Sequence, residues 1–115
     1  MPPDDLALSI LDFGYDGPDK RLESRLAFTL SLARMADECG YSRFWFTEHH
    51  SEDLYIACPE VVIAAMAANT RRIRGGSAGI LLHYYSAFKV AEVFHTLSAL
   101  FPDRIDLGLV RRRDT

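Results

Sequence analysis

A chain of 115 residues, 49% of them hydrophobic, is long enough for one domain with its own core and too short for two. Its formal net charge of −3 offers no basic stripe to neutralise a run of phosphates, which argues against a nucleic-acid partner. The acidic start MPPDDLALSI lacks the positive-then-apolar order of a leader and no uninterrupted apolar run reaches membrane-spanning length, so a cytoplasmic protein without a membrane partner is expected.

In chain order, LALSILDF (residues 6–13) is an apolar run closed by GYDGPD, whose Gly, Asp and Pro are turn chemistry. It predicts a strand followed by a loop. From about Ser24 to Cys39 the residues Leu22, Leu26, Leu30, Ala33 and Ala36 recur at three- and four-residue steps, with Glu23, Arg34 and Glu38 elsewhere on the wheel. That pattern predicts an amphipathic helix, and Gly40 sits where a left-handed residue ends one. FWFTEHH (residues 44–50) follows at once: an aromatic second strand that runs into one carboxylate and two imidazoles, groups rarely hidden without partners.

SEDLYIAC reads as loop, and Pro59 opens a second helix through EVVIAAMAANT, proline being favourable at a first helical position. The two cysteines, Cys39 and Cys58, lack a CxxC pattern and fit reduced thiols better than a disulfide or a zinc site. RIRGGSAGILL (residues 72–82) predicts a third strand with at least one irregular backbone point at its glycines. Ser86 to Phe101 predicts a third helix, with Val90, Val93, Phe94, Leu97 and Leu100 on one face and Lys89, Glu92 and Thr96 opposite. After the breaker Pro102, RIDLGLV (residues 104–110) is a fourth strand. Strands thus recur roughly every thirty to thirty-five residues with one helix between, the spacing of right-handed βαβ units. The expected class is α/β, four parallel strands and three helices, with no linker or short internal repeat.

In parallel α/β folds ligands gather at the carboxyl ends of the strands, where Glu48, His49 and His50 fall. A histidine titrates near neutrality and a neighbouring carboxylate can orient it, which suits acid–base work; a polar strand end bonded to nearby loops is the plainer alternative. Adjacent residues on an extended strand point to opposite faces, so His49 and His50 are poorly placed to chelate one ion, and no metal site is expected. The same edge should hold Asp12, Phe13, the end of SAGILL and Arg111. GGSAG matches neither dinucleotide nor phosphate-loop patterns; its small residues either leave room for a flat ligand against the backbone or form a bulge needed for closure of the sheet. Of Arg111, Arg112 and Arg113, Arg111 lies nearest the strand end and is the candidate for a phosphate or carboxylate, the others being solvated. HYYS (residues 83–86) offers aromatic surfaces for stacking or for packing on a loop.

Taken together, LSILDF, LARMADECGYSRFWFTEHH, CPEVVIAAMAANTRRIRGGSAGILL and SAFKVAEVFHTLSALFPDRIDLGL resemble, in order and spacing from Leu6 to Leu109, the bacterial luciferase-like family of flavin-dependent monooxygenases. The resemblance implies a TIM-type (β/α)8 barrel that binds reduced FMN at the carboxyl ends of its strands and uses O2, a deazaflavin being the lesser option. It also implies a separate flavin reductase and a small-molecule substrate whose identity rests on loops after the later strands. By position, Glu48 looks like the family's cofactor-side glutamate and His49 like its catalytic histidine. Ser77, Ala78 and Gly79 look like the cofactor-binding end of the third strand, with a non-proline cis peptide between Ala78 and Gly79, and Arg111 resembles an arginine that contacts the cofactor phosphate. Gly75 departs from the family's β-branched residue, His83 from its frequent proline, and GLVRRRDT from its glycine-rich turn. Four strands make about half of such a barrel, which takes about 250 residues. Residues 1–115 are therefore expected to be a single N-terminal half-barrel domain, truncated after the fourth strand. The alternative is a non-catalytic assembly module, pairing with itself or with a complementary chain to cover its open edges.

Overall fold

Helical and strand periodicities alternate along the chain, and in the computed structural model, which describes residues 6–14, 18–50 and 56–111, they become β1 (Ser9–Asp12), α1 (Leu22–Glu38), β2 (Arg43–Phe46), α2 (Pro59–Ala68), β3 (Arg74–Ser77), β4 (Ile80–Leu81), α3 (Ala87–Leu100), β5 (Ile105–Asp106) and β6 (Leu109–Val110). Pro59 opens α2 as expected. Ser86 caps α3, its hydroxyl accepting from the Lys89 amide at 3.3 Å. Gly40, at φ +84°, ends the first helical segment in the left-handed conformation.

β1, β2, β3 and β5 form one parallel sheet in that order, which meets the expectation of four parallel strands and three helices. The third and fourth strands are not continuous, however. Each breaks and resumes, as β4 and β6, in a second parallel pair with Ile80 opposite Leu109. The two breaks face each other. Ser77 Oγ donates to the Gly108 carbonyl at 2.9 Å and accepts from the Gly108 amide at 3.1 Å, while the Ile80 amide donates to the same carbonyl at 2.9 Å. The third strand is interrupted at the Ala78–Gly79 peptide, which is cis, as the resemblance implies.

One sheet face carries Ile10, Phe44, Gly75 and Ile105 in register, and the helices cover it. Phe44 and Phe46 are wholly buried with ring centroids 4.8 Å apart; burying each ring contributes about 1.5–3 kcal/mol. Two residues of the expected helical stripes, Leu22 and Leu100, are exposed instead. They are the first residue of α1 and the last of α3. A 17-residue helix runs about 25 Å, against about 13 Å for a strand of 4 residues, so helix ends overhang the sheet.

The opposite face carries Leu11, Trp45, Gly76 and Asp106 in one row. Leu11 is 46% exposed. Arg43 and Arg74 flank Asp106, with Nε to carboxylate distances of 3.1 Å from Arg43 and 3.0 Å from Arg74. This is the face that a closed barrel turns inward.

Candidate active site

Each strand of the main sheet delivers its carboxyl end to one edge, and the first links there are structural. Asp12 takes the Thr29 hydroxyl at 2.8 Å and the Gly14 amide at 2.8 Å. Thr47 ties β2 to β1 through its amide and hydroxyl, both donating to the Asp12 carbonyl at 3.3 and 3.2 Å. Asp12 thus braces the site.

Glu48 comes next and is only 3% exposed. A carboxylate out of water needs donors. It has two fixed ones, Tyr85 Oη donating to Oε2 at 2.8 Å and the Leu81 amide to Oε1 at 3.4 Å, and His50 Nε2 lies in hydrogen-bond contact 2.6 Å from Oε2. Both fixed donors come from the chain just beyond the third-strand break, so Glu48 ties the tip of β2 to β4 and the turn after it. Burial first, then the hydrogen bond to Glu48 and the charges of Glu48 and Glu60, push the Tyr85 phenol well above its ordinary range. It therefore stays a donor. Desolvation and the charges of Glu60 and Glu48 also push the Cys58 thiol up, which keeps it from acting as a thiolate nucleophile.

His49 is half-buried, and its amide donates to the Ile56 carbonyl at 2.9 Å. The carboxylate's imidazole partner is His50, whose ring meets Tyr84 edge-on at 5.1 Å between centroids. Sequence reasoning named the adjacent pair and missed this one. The signal was available, because residues i and i+2 of an extended segment share a side. Tyr85 was also missed as an anchor. HYYS pointed to its ring, whereas its hydroxyl makes the contact.

Ser77 is wholly buried and its hydroxyl is used by Gly108. The Ala78 amide donates to the Phe46 carbonyl at 2.7 Å, which fixes the start of the break beside β2. On the side where a side chain would stand, the glycines answer to close packing within the protein. A Cβ at Gly75 would strike the Met66 side chain, one at Gly76 would lie 2.5 Å from the Trp45 ring, and one at Gly79 2.8 Å from the Gly108 carbonyl. Those spaces are filled by the protein itself. Arg111 is exposed and directly follows Val110, the partner of Leu81, which puts it on the same edge. The loop expected over SEDLYIAC lies partly, and Arg112 and Arg113 wholly, outside the described residues.

Among the described residues no group of three or more His, Cys, Asp and Glu side chains is placed to hold a metal ion, and no helix is long and apolar enough to cross a membrane. Parallel βα repeats of this order, with their carboxyl ends gathered at one edge, are those of part of a TIM-type barrel.

Comparison with known proteins takes this further. The family model described as luciferase-like monooxygenase matches residues 8–114, and the chain belongs to that family. It is 50% identical over 105 residues to the N-acetyl-S-alkylcysteine monooxygenase of Bacillus subtilis (strain 168), covering 90% of this chain and 31% of that protein. Among solved structures, apo-MsnO8 superposes with a TM-score of 0.86 at 48% identity, over 91% of this chain and 32% of that one. The oxygenating constituent of 3,6-diketocamphane monooxygenase from Pseudomonas putida, a type II Baeyer–Villiger monooxygenase in complex with FMN, gives a TM-score of 0.84 at 26% identity, over 90% and 29%. The chain therefore spans about a third of the length of the relatives it matches.

Proposed function

We propose that this chain forms the flavin-facing part of an FMN-dependent luciferase-like monooxygenase. The observation that carries the reading is the convergence of Glu48, its imidazole neighbours and the backbone break of the third strand at one sheet edge. This donor set suits a flat, hydrogen-bonding ring system with a phosphate tail. Backbone groups of Ser77, Ala78 and Gly79 would meet the ring, Arg111 the phosphate, and Glu48 fixes the spacing between the second and third strands beside them. Reduced FMN, when bound, supplies the electrons that activate O2. His49 holds or gives up a proton at its imidazole near the reacting atoms, while the half-buried Trp45 and the closed barrel keep water out. A separate reductase would supply the reduced flavin, and a small molecule would be the substrate.

The FMN complex among the structural relatives favours FMN over a deazaflavin, and adding each to the purified protein decides between them. The expected result is stoichiometric FMN absorbance after desalting, with substrate-dependent O2 uptake across aldehydes, sulfonates and N-acetyl-S-alkylcysteines. His49→Ala should keep the flavin and lower turnover by about a hundredfold or more.

The exposed apolar residues Leu11, Phe13, Leu107 and Leu109 favour a second reading, a non-catalytic module that pairs with a copy of itself or a complementary chain. A colourless dimer indifferent to flavin would support that reading and remove the first.

A further inference from the structure

We propose that Tyr85, Glu48 and His50 act as one proton-linked unit: Glu48 fixes His50 as an imidazole that exchanges its proton at Nδ1, and Tyr85 is the positioning residue that holds Glu48. As a device for oxygenase chemistry this rests on the flavin reading above, but the coupling itself is measurable without flavin.

The geometry sets the roles. The Glu48 side chain is completely shielded from solvent, whereas that of His50 is 40% exposed, so the imidazole has one end in the protein and one outside. Glu48 Oε2 receives Tyr85 Oη at 2.8 Å and faces His50 Nε2 at 2.6 Å, and Oε1 receives the Leu81 amide. With two fixed donors already turned toward the carboxyl group, Glu48 is assigned as the acceptor and the hydrogen is placed on Nε2. In neutral His50 the lone pair is then at Nδ1. When an acid gives up its proton there, the imidazolium charge is balanced by a carboxylate already in hydrogen-bond contact, and the proton leaves again from Nδ1.

Tyr85 and His50 share one oxygen and so compete for its charge. The phenol stays protonated and cannot exchange roles with the imidazole. Tyr84 meets His50 edge to face and also packs on His83 at 4.2 Å between centroids, which limits rotation of the imidazole. Among the described residues, the ionisable groups around the unit are His49 on the same tip, His83 and Tyr84 in the turn after β4, and Cys58 and Glu60 at the start of α2, whose charges bear on Tyr85.

The test is an imidazole nitrogen NMR titration of the full 115-residue chain without flavin, with the exposed His95 of α3 as internal reference. Wild-type His50 should show the Nε2–H tautomer. Glu48→Gln, which keeps the shape and removes the charge, should lower the proton affinity of His50 relative to wild type by about tenfold. Tyr85→Phe removes the competing donor, leaves more charge for the imidazole, and should raise that affinity by about threefold. His95 should not respond to either change. An Nδ1–H tautomer in the wild type, which needs no variant, would overturn the proposal, and so would shifts of one sign, or none, in the two variants. Opposite shifts in a protein that takes up no flavin would keep the unit and reject the flavin reading.

Discussion

At the scale of single residues, the site is held by groups whose partners are far away in the chain. Thr29, wholly buried on α1, donates to Asp12 at 2.8 Å, and a buried donor of this kind contributes about 1–2 kcal/mol. Thr29→Val should therefore lower unfolding free energy by about that amount in a urea titration, with the fold intact. Gly108 is tighter still. A Cβ there would collide with the Ser77 carbonyl oxygen, a backbone atom that cannot turn aside. Gly108→Ala should cost about 3 kcal/mol, seen as a large drop in thermal midpoint. The sequence drew attention to Glu48 and its histidine neighbours by chemistry alone. What it hid was which imidazole the carboxylate would choose and which tyrosine would reach it, because both depend on the path of the chain after residue 78.

At the scale of elements, periodicity located the three helices and the cores of the strands, since helices read at 3.6 and strands at 2 residues per repeat leave different apolar spacings. The split of the third and fourth strands was only half legible. The glycines of GGSAG announced an irregular point, but nothing in RIDLGLV announces that Gly108 must sit against Ser77. A further link joins the helical layer to the sheet: the Asp37 carboxylate at the end of α1 accepts from the amides of Arg71, Arg72 and Ile73 at 2.9–3.0 Å, fixing the entry to β3. Burial alone would push Asp37 up, but the three amides and nearby Arg104 outweigh it and hold the carboxyl below its ordinary value. A folded-state value below the unfolded one stabilises the protein above about pH 4 and is lost as pH falls further. Asp37→Asn should accordingly lower stability at pH 7, while losing less on acidification below pH 4 than the wild type does, as followed by denaturation at each pH.

At the scale of the whole molecule, one sheet face is covered by helices and the other is not covered by the residues described. Leu11, 46% exposed, shares that face's row with Asp106, which pairs with Arg43 and Arg74, a mixture suited to the inward face of a barrel, and Leu109 in β6 is 52% exposed. Sedimentation velocity should show association of the isolated chain, and Leu11→Glu with Leu109→Glu should reduce it while leaving far-ultraviolet dichroism unchanged. The central claim is that reduced FMN sits at the carboxyl edge of this sheet. An amide NMR spectrum of the labelled chain, recorded anaerobically with and without reduced FMN, tests it most directly. The account predicts shifts concentrated at Glu48–His50, Ser77–Ile80 and Arg111. Shifts centred instead on the outer surfaces of α2 and α3, or a spectrum that does not respond, would contradict it.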